Sequence, residues 1–508
     1  MASCDAIVIG GGINGLSAAG KLALSGAKVT LFEASDHVGG MCGVGHICYG
    51  LDDRMEKALK LSAHGLSWLS SNLPSTALSS NGNHLVLQGA WGETIAGDLS
   101  ASDHANWKQL RTTLLKNASV LAPFKAMTAP RLARDHGSAI WKLLSNGLKI
   151  RGMGKDALRE FMRLMLINVA DVLDDDLQDD RLKGVLAFDT VLGHFAGPRS
   201  PNSLLSLYNR ISNSVNGQQG ALALPRGGMA SIAGAMQEAL QSLGVKIRCG
   251  AAVKSIEIDT VRAQSVTLET GETLRSDLIV SALHPHATLM SLAGAAQFDT
   301  GFVRRTQNIK SRGITAHLRL TLKGKPDFLG ADLRSRLVIA PSIRAVEDAF
   351  NAVKYGAFSQ QPMMECILPQ AFEPTEQATN HHVLSALVQF APHDLRMGWS
   401  KGKPAFLKCI IQQLERYSPG ISKQIVTADM LTPADLAARY GAPGGQWHHA
   451  ELSVEQMFML RPAVGLAQYA TPIEGLYLAS AAMHPGGGIN GTAGWNAATH
   501  ALKFAGVK

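Results

Sequence analysis

Cysteine is scarce in this 508-residue chain: there are six, and no two form a Cys-x-x-Cys pair. That spacing excludes a disulfide framework and carries no structural zinc signature, so no metal centre is expected. No run of about 18 uninterrupted apolar residues occurs, so no membrane-spanning helix is expected. The chain does not open on the basic start and long apolar run of a signal peptide, and the default expectation is a cytoplasmic protein. The formal net charge is +8, yet no five basic residues stand in a row. Scattered charge of this kind argues against a nucleic-acid partner. One anionic cofactor does not account for a whole-protein excess either. There is no internal repeat.

What is present is an ordinary globular composition, 46% apolar and 17% charged, with 51 glycines. At one domain per roughly 150 residues the length suggests about three units, or two large ones. Glycine at about 10% exceeds the usual ~7% and is concentrated in a few runs, which marks local function. Residues 4–9 read as a buried strand, 13–25 as a helix and 28–33 as a second strand, a βαβ unit with a tight first turn. The turn, Gly10-Gly11-Gly12-Ile13-Asn14-Gly15, satisfies G-x-G-x-x-G. Gly10 permits the turn, Gly12 lets backbone approach a pyrophosphate, and Gly15 lets helix and strand pack closely. The helix N-terminus adds free N–H groups for phosphates. Glu33, closing the second strand, is placed to accept from a ribose diol. Ala34 follows it, and then the pair Gly39-Gly40 and Met41. A second glycine pair after the acid is the FAD pattern. No second G-x-G-x-x-G follows a later strand, so no separate NAD(P) domain is expected.

Further along, the pattern predicts a helix over 55–75, mainly helix over 104–170 and a helix over 229–243. It predicts strands at 245–248, 252–258, 265–268 and 278–281, with a hairpin turn at 269–272. Strands at 313–322 and 383–390 and a helix at 404–417 follow. The cofactor-type segments are interleaved with other material. The expected architecture is α/β: an FAD-binding domain from 1–75, 215–300 and 465–508, and a substrate domain with a helical segment from 76–214 and 301–464.

Four blocks then carry a resemblance. They are the N-terminal unit through Gly39-Gly40; residues 186–193 with Gly197-Pro198-Arg199-Ser200-Pro201; Arg226-Gly227-Gly228-Met229 through Val253 to Ser281-Ala282; and residues 431–496, with Trp447-His448-His449, Arg461-Pro462 and His484-Pro485-Gly486-Gly487-Gly488. The chain resembles the phytoene-desaturase-like branch of the FAD-dependent amine-oxidase superfamily. It is most similar there to the pyridine nucleotide-disulphide oxidoreductase domain-containing protein 2 group. The resemblance implies a GR2-like, discontinuous Rossmann-type FAD domain with an inserted α+β substrate domain. It implies Val253 near the adenine and residues 477–496 around the flavin, with Pro485, Gly486, Gly487, Gly488 and a helix starting near Gly491 at its charged end. Met41, where the superfamily commonly has Arg, and Asn202-Ser203-Leu204-Leu205 depart from the pattern and bear on substrate more than cofactor.

Hydride transfer to a flavin needs orientation and a dry site first, so few indispensable side chains are expected. His484, beside the glycine run, and Trp447, His448 and His449 are the catalytic candidates; an imidazole there could take a proton. Cys42 and Cys48 have five residues between them, where flavin disulphide reductases have four, and read as small buried thiols. Residues 138–173 form a basic amphipathic stretch that reads as a solvated helix face or a peripheral membrane contact. The expected function is removal of two hydrogens from a small-molecule substrate, by C–C desaturation or C–N oxidation, with oxygen or a quinone as acceptor. A flavin-binding assembly factor and a disulphide reductase are the competing readings. A homo-oligomer is open.

Overall fold

The computed structural model describes residues 4–129, 154–373 and 380–504. One sheet is wholly parallel, in the order Lys246–Arg248, Val29–Phe32, Ala6–Ile9, Ile279–Ser281, Leu476–Leu478. Its central strands are mainly apolar, as in parallel sheets buried on both faces, and every residue of Ala6–Ile9 and Val29–Phe32 is buried. Strands distant in sequence thus become neighbours: Ile7 stands opposite Ile279, and Ile279 opposite Leu476.

Helix Ile13–Ala23 follows the first strand and packs against helices Ala230–Ser242 and Thr492–Phe504. Gly15 permits that seat: a methyl there would lie 1.9 Å from the Gly10 carbonyl oxygen. An antiparallel three-stranded sheet, Val253–Asp259, Arg262–Leu268 and Thr273–Arg275, turns at 269–272 as the pattern predicts.

The 55–75 helix is the clearest miss. Helix Asp53–Leu59 stops where Lys60 turns left-handed (φ 50°), and Trp68–Ser70 is a strand paired with Leu224–Pro225. Helical periodicity could not register the chain reversal that tertiary pairing imposes. Across 104–170 the prediction holds for Ala101–Lys125, capped by Ser100, and for Lys155–Leu166; residues 130–153 lie outside the described residues. The basic stretch is therefore described only in part: Met162 and Leu166 are exposed while Phe161 and Leu164 are buried. Among the described residues no helix is long and apolar enough to cross a membrane.

The second large sheet has eight strands: Ile425–Leu431, Thr315–Lys323, His381–Gln389, Met364–Ile367, Arg336–Ile339, Ser75–Ala77, Leu85–Gln88 and Thr94–Ala96. Strand alternation divides its faces. Leu318, Leu320, Met364, Cys366, Leu384 and Ala386 bury one face against Phe406, Ile410 and Leu414 of helix Trp399–Tyr417. The register puts His317 opposite Leu387, Leu387 opposite Glu365, Glu365 opposite Val338, and Arg336 opposite Ser75. The other face therefore carries His317, Glu365 and Arg336 beneath helix Asp180–Val191. That face is closed by ion pairs. Fully buried Arg336 holds Glu365 at 2.5 Å and Asp189 at 2.6 Å, and Arg210 holds Asp189 at 2.6 Å. His46 and the Tyr49 hydroxyl add hydrogen bonds to Glu365. Burial alone would raise the Glu365 carboxyl. Arg336 and these hydrogen bonds outweigh it and hold the group well below the usual carboxylate range. Removing one member of such a set leaves a buried charge unpaired, at a cost of about 3–5 kcal/mol.

Candidate active site

The chain ends meet. Ser17 Oγ donates to the Gly491 carbonyl at 2.7 Å, the Gly494 N–H to Asn14 Oδ1 at 3.2 Å and the Asp52 N–H to the Asn490 carbonyl at 2.9 Å. Beside this junction lies a cavity of about 1320 Å³, counted to its open mouth. Gly12, Ile13, Asn14, Gly39, Met41, Gly487 and Gly488 form one part of its wall; Trp447, His448 and His449 form another.

The glycine turn is held open toward this cavity. The Gly11 N–H donates to Glu33 Oε2 at 2.6 Å and the Ser35 N–H to Glu33 Oε1 at 2.8 Å. Glu33 thus fixes the turn and, with about four lone-pair sites, retains room for a ribose hydroxyl. The Gly39 N–H donates to the Gly11 carbonyl at 2.8 Å, drawing 39–41 alongside. A methyl on Gly12 would meet no protein atom within 4 Å. The absent side chain leaves a cradle that a diphosphate would fill. Gly10, Gly15, Glu33, Ala34, Gly40, Val253, Pro485, Gly486 and Gly491 do not line the cavity.

His448 faces two donors: the Trp447 indole N–H at Nε2 (2.9 Å) and the Gly488 N–H at Nδ1 (3.0 Å). A neutral imidazole has one lone-pair nitrogen, so His448 accepts from one of these N–H groups at a time. His449 Nδ1 lies 2.9 Å from Ser480 Oγ; with Nδ1–H donated there, the lone pair is assigned to Nε2. His194 lines the cavity too, stacked on His448 with ring centres 5.2 Å apart, and its Nδ1 has no hydrogen-bond partner among the described residues. His484 is placed differently. It is buried behind the wall, with Nε2 2.8 Å from the Phe124 carbonyl, and does not reach the cavity. Burial, with the Arg461 cation nearby, depresses His194, His449 and His484 to about 4; burial and His449 depress His284 to about 3. His448 is likewise held well below the ordinary value. These imidazoles are neutral at pH 7, and the burial that keeps them so also makes them weak bases that hold a proton only transiently.

The rest of the wall is mostly apolar: Val44, Ile47, Leu192, Leu387, Leu436 and Leu452. Its polar exceptions include Tyr49, Asp189 and Arg210, with the Arg210 guanidinium 4.8 Å above the Tyr49 ring. A neighbouring cavity of about 680 Å³, lined by polar groups such as Ser200, Asn202 and Glu455, shares His194, Ser206 and Leu452 with the first. Sequence reasoning missed Tyr49, His194 and Arg210. His194 stands one residue past the quoted 186–193 block; Tyr49 and Arg210 carry no local signal. Cys42 and Cys48 are free and buried, and burial pushes Cys48 up to about 12 and Cys42 higher still, so neither is a ready thiolate. Among the described residues no cluster could hold a metal ion.

The family model described as FAD dependent oxidoreductase matches residues 5–402. Pyridine nucleotide-disulfide oxidoreductase domain-containing protein 2 of Rattus norvegicus is 28% identical, covering 97% of this chain and 92% of its own. A lycopene-forming phytoene desaturase of Pantoea ananas is 24% identical over 64% of each chain. The solved structure of cyclohexylamine oxidase from Brevibacterium oxydans IH-35A superposes with a TM-score of 0.57 at 14% identity, over 99% of this chain and 98% of that one, a likeness of fold.

The two glycines of the turn should separate folding from binding. Gly12→Val is expected to leave the thermal midpoint nearly unchanged while abolishing FAD retention, measured as flavin absorbance per protein. Gly15→Ala is expected to lower soluble yield and midpoint, because its methyl meets backbone. Stability should also fall with pH. An unfolded histidine titrates near 6.5 and these folded ones near 4, so between those values the unfolded chain binds more protons and is favoured. At pH 5 each such histidine should cost up to about 2 kcal/mol, read as a lower urea midpoint than at pH 7.

Proposed function

Because the chain belongs to the FAD dependent oxidoreductase family, we propose that it is an FAD enzyme that desaturates an apolar organic substrate, taking two hydrogens from adjacent carbons. The observation that carries this reading is the cavity itself: a glycine turn and a glycine loop meet at one part, and the remainder is lined mainly by aliphatic side chains. Gly10, Gly12, Ile13, Asn14 and Gly15 would hold the diphosphate, Glu33 and Ala34 the ribose, and Val253 the adenine. Gly39, Gly40, Met41, residues 485–488 and Gly491 would enclose the flavin. The pieces 1–75, 215–300 and 465–508 act as its binding unit in this reading. Bound FAD supplies a two-electron acceptor, later emptied by oxygen or a quinone.

The chain's own groups exclude water, orient the substrate and take one proton. Leu192, Leu387, Leu436 and Leu452 present a dry surface to an apolar body. As a C–H pair becomes C=C, one carbon gives up a hydride and its neighbour a proton. The proton goes to His449 Nε2, with Ser480 holding the tautomer. Amine oxidation is the second reading, favoured by Trp447 on the wall. Against it, the wall carries Arg210, and Asp189, its carboxylate, is already held by two guanidiniums. An ammonium group finds no free counter-charge in that pair.

Anaerobic addition of polyene, fatty-acyl and amine panels to the FAD-loaded protein tests the reading. Bleaching of the flavin by members of the apolar panels alone is expected; bleaching by amines alone would replace it with C–N oxidation. His449→Asn should retain FAD yet slow the reductive half-reaction by about 10²–10⁴-fold, the usual worth of a positioned base. Stopped-flow bleaching with the best substrate measures this.

A further inference from the structure

Arg461 is fully buried, and among the described residues no carboxylate pairs with it. Glu451, the nearest acidic residue in its hydrogen-bond set, offers only its backbone carbonyl; its carboxylate is held by Arg312 at 2.7 Å. Backbone carbonyls satisfy the guanidinium instead. Nε donates to Met483 at 3.2 Å, Nη1 to Glu451 and Gln456 at 2.9 and 3.0 Å, and Nη2 to His448, Ala450 and Ala481 at 3.4, 3.1 and 3.2 Å. Two of these carbonyls belong to His448 and Ala481, which line the cavity. A methyl on Gly486 would lie 2.0 Å from Nε, so the cation stands directly behind the glycine loop.

A lone buried cation is expensive, and carbonyl dipoles offset the cost without cancelling the charge. Its surroundings do not neutralise it. The five histidines that feel it, His194, His284, His448, His449 and His484, are uncharged near neutrality. The other guanidiniums nearby are balanced, Arg210 by Asp189 and Arg54 by Asp52. Lys125, buried by the wall residues Asn209 and Asn213, is depressed to about 7 by burial and holds only part of a charge. The net field at this wall is positive.

We propose that Arg461, besides clamping the loops, is the electrostatic complement of reduced FAD: it stabilises the negative charge gained on hydride uptake and so raises the cofactor's reduction potential. Two electrons and one proton from the substrate's C–H bond leave one negative charge on the flavin ring, and the substrate's second proton stays on the protein. A fixed cation one residue layer away, in a site of low dielectric, favours that state without reorganising. The proposal rests on the FAD reading above. It makes Arg461 a positioning residue that acts through the field and through the wall it shapes.

The test is the potential of the loaded protein, by stepwise dithionite reduction against a reference dye. Arg461→Met should lower the equilibrium constant for two-electron reduction at least tenfold, about 30 mV for such a couple. Arg461→Lys should keep most of the wild-type value. A methionine variant that holds FAD at the wild-type potential overturns the proposal and leaves Arg461 a clamp. If that variant does not fold, sulfite titration of the wild type decides. Sulfite addition also leaves a negative ring, so reversible bleaching supports the assignment, and an unchanged spectrum at every concentration overturns it. A wild-type protein that cannot be loaded with FAD sinks the functional reading itself, an outcome separate from the other two.

Discussion

The molecule depends on the close approach of its first helix and its last. Helices Ile13–Ala23 and Thr492–Phe504 touch backbone to backbone: a methyl on Gly494 would lie 1.9 Å from the Asn14 carbonyl oxygen. Small residues along the last helix, Ala493, Gly494, Ala497 and Ala498, are all buried in this contact or beside it. The hydrogen bonds from Ser17 to Gly491 and from Gly494 to Asn14 fix the register. Everything that lines the cavity hangs from this junction, because it brings the 487–489 loop opposite the 10–15 turn.

Charge is managed by two different devices on either side of the cavity. At the mostly apolar wall, where Asp189 and Arg210 line the cavity, Arg336, Arg210, Glu365 and Asp189 cancel one another in a closed set. Behind the glycine loop, Arg461 is held by carbonyls alone and keeps its charge. The balanced set leaves no net charge on that part of the wall. The unbalanced cation leaves a positive charge directly behind the glycine loop. The histidines of the cavity wall stay neutral at pH 7 through burial.

Much of the cofactor unit was legible in the sequence because it is local. The turn at Gly10–Gly15 lies between a strand and a helix, and Glu33 falls at the end of the next strand; such spacing needs no tertiary information. The hairpin at 269–272 was equally local. The helix predicted over 55–75 failed at Lys60, where a left-handed residue and a pairing with Leu224–Pro225 redirect the chain. His484 read as a flavin neighbour because it precedes the glycine run. Its ring is turned away to the Phe124 carbonyl, a partner 360 positions distant.

The sequence by itself determined the βαβ turn, the acid that follows it, the FAD-type second glycine pair and the glycine loop near the C-terminus. These are set by backbone sterics over a few residues. Only the tertiary structure decided which side chains share the cavity. Tyr49, Asp189, His194 and Arg210 come together because strand order and helix packing bring remote segments to one wall. It also decided the charge state of His194, which burial and neighbouring guanidiniums keep neutral.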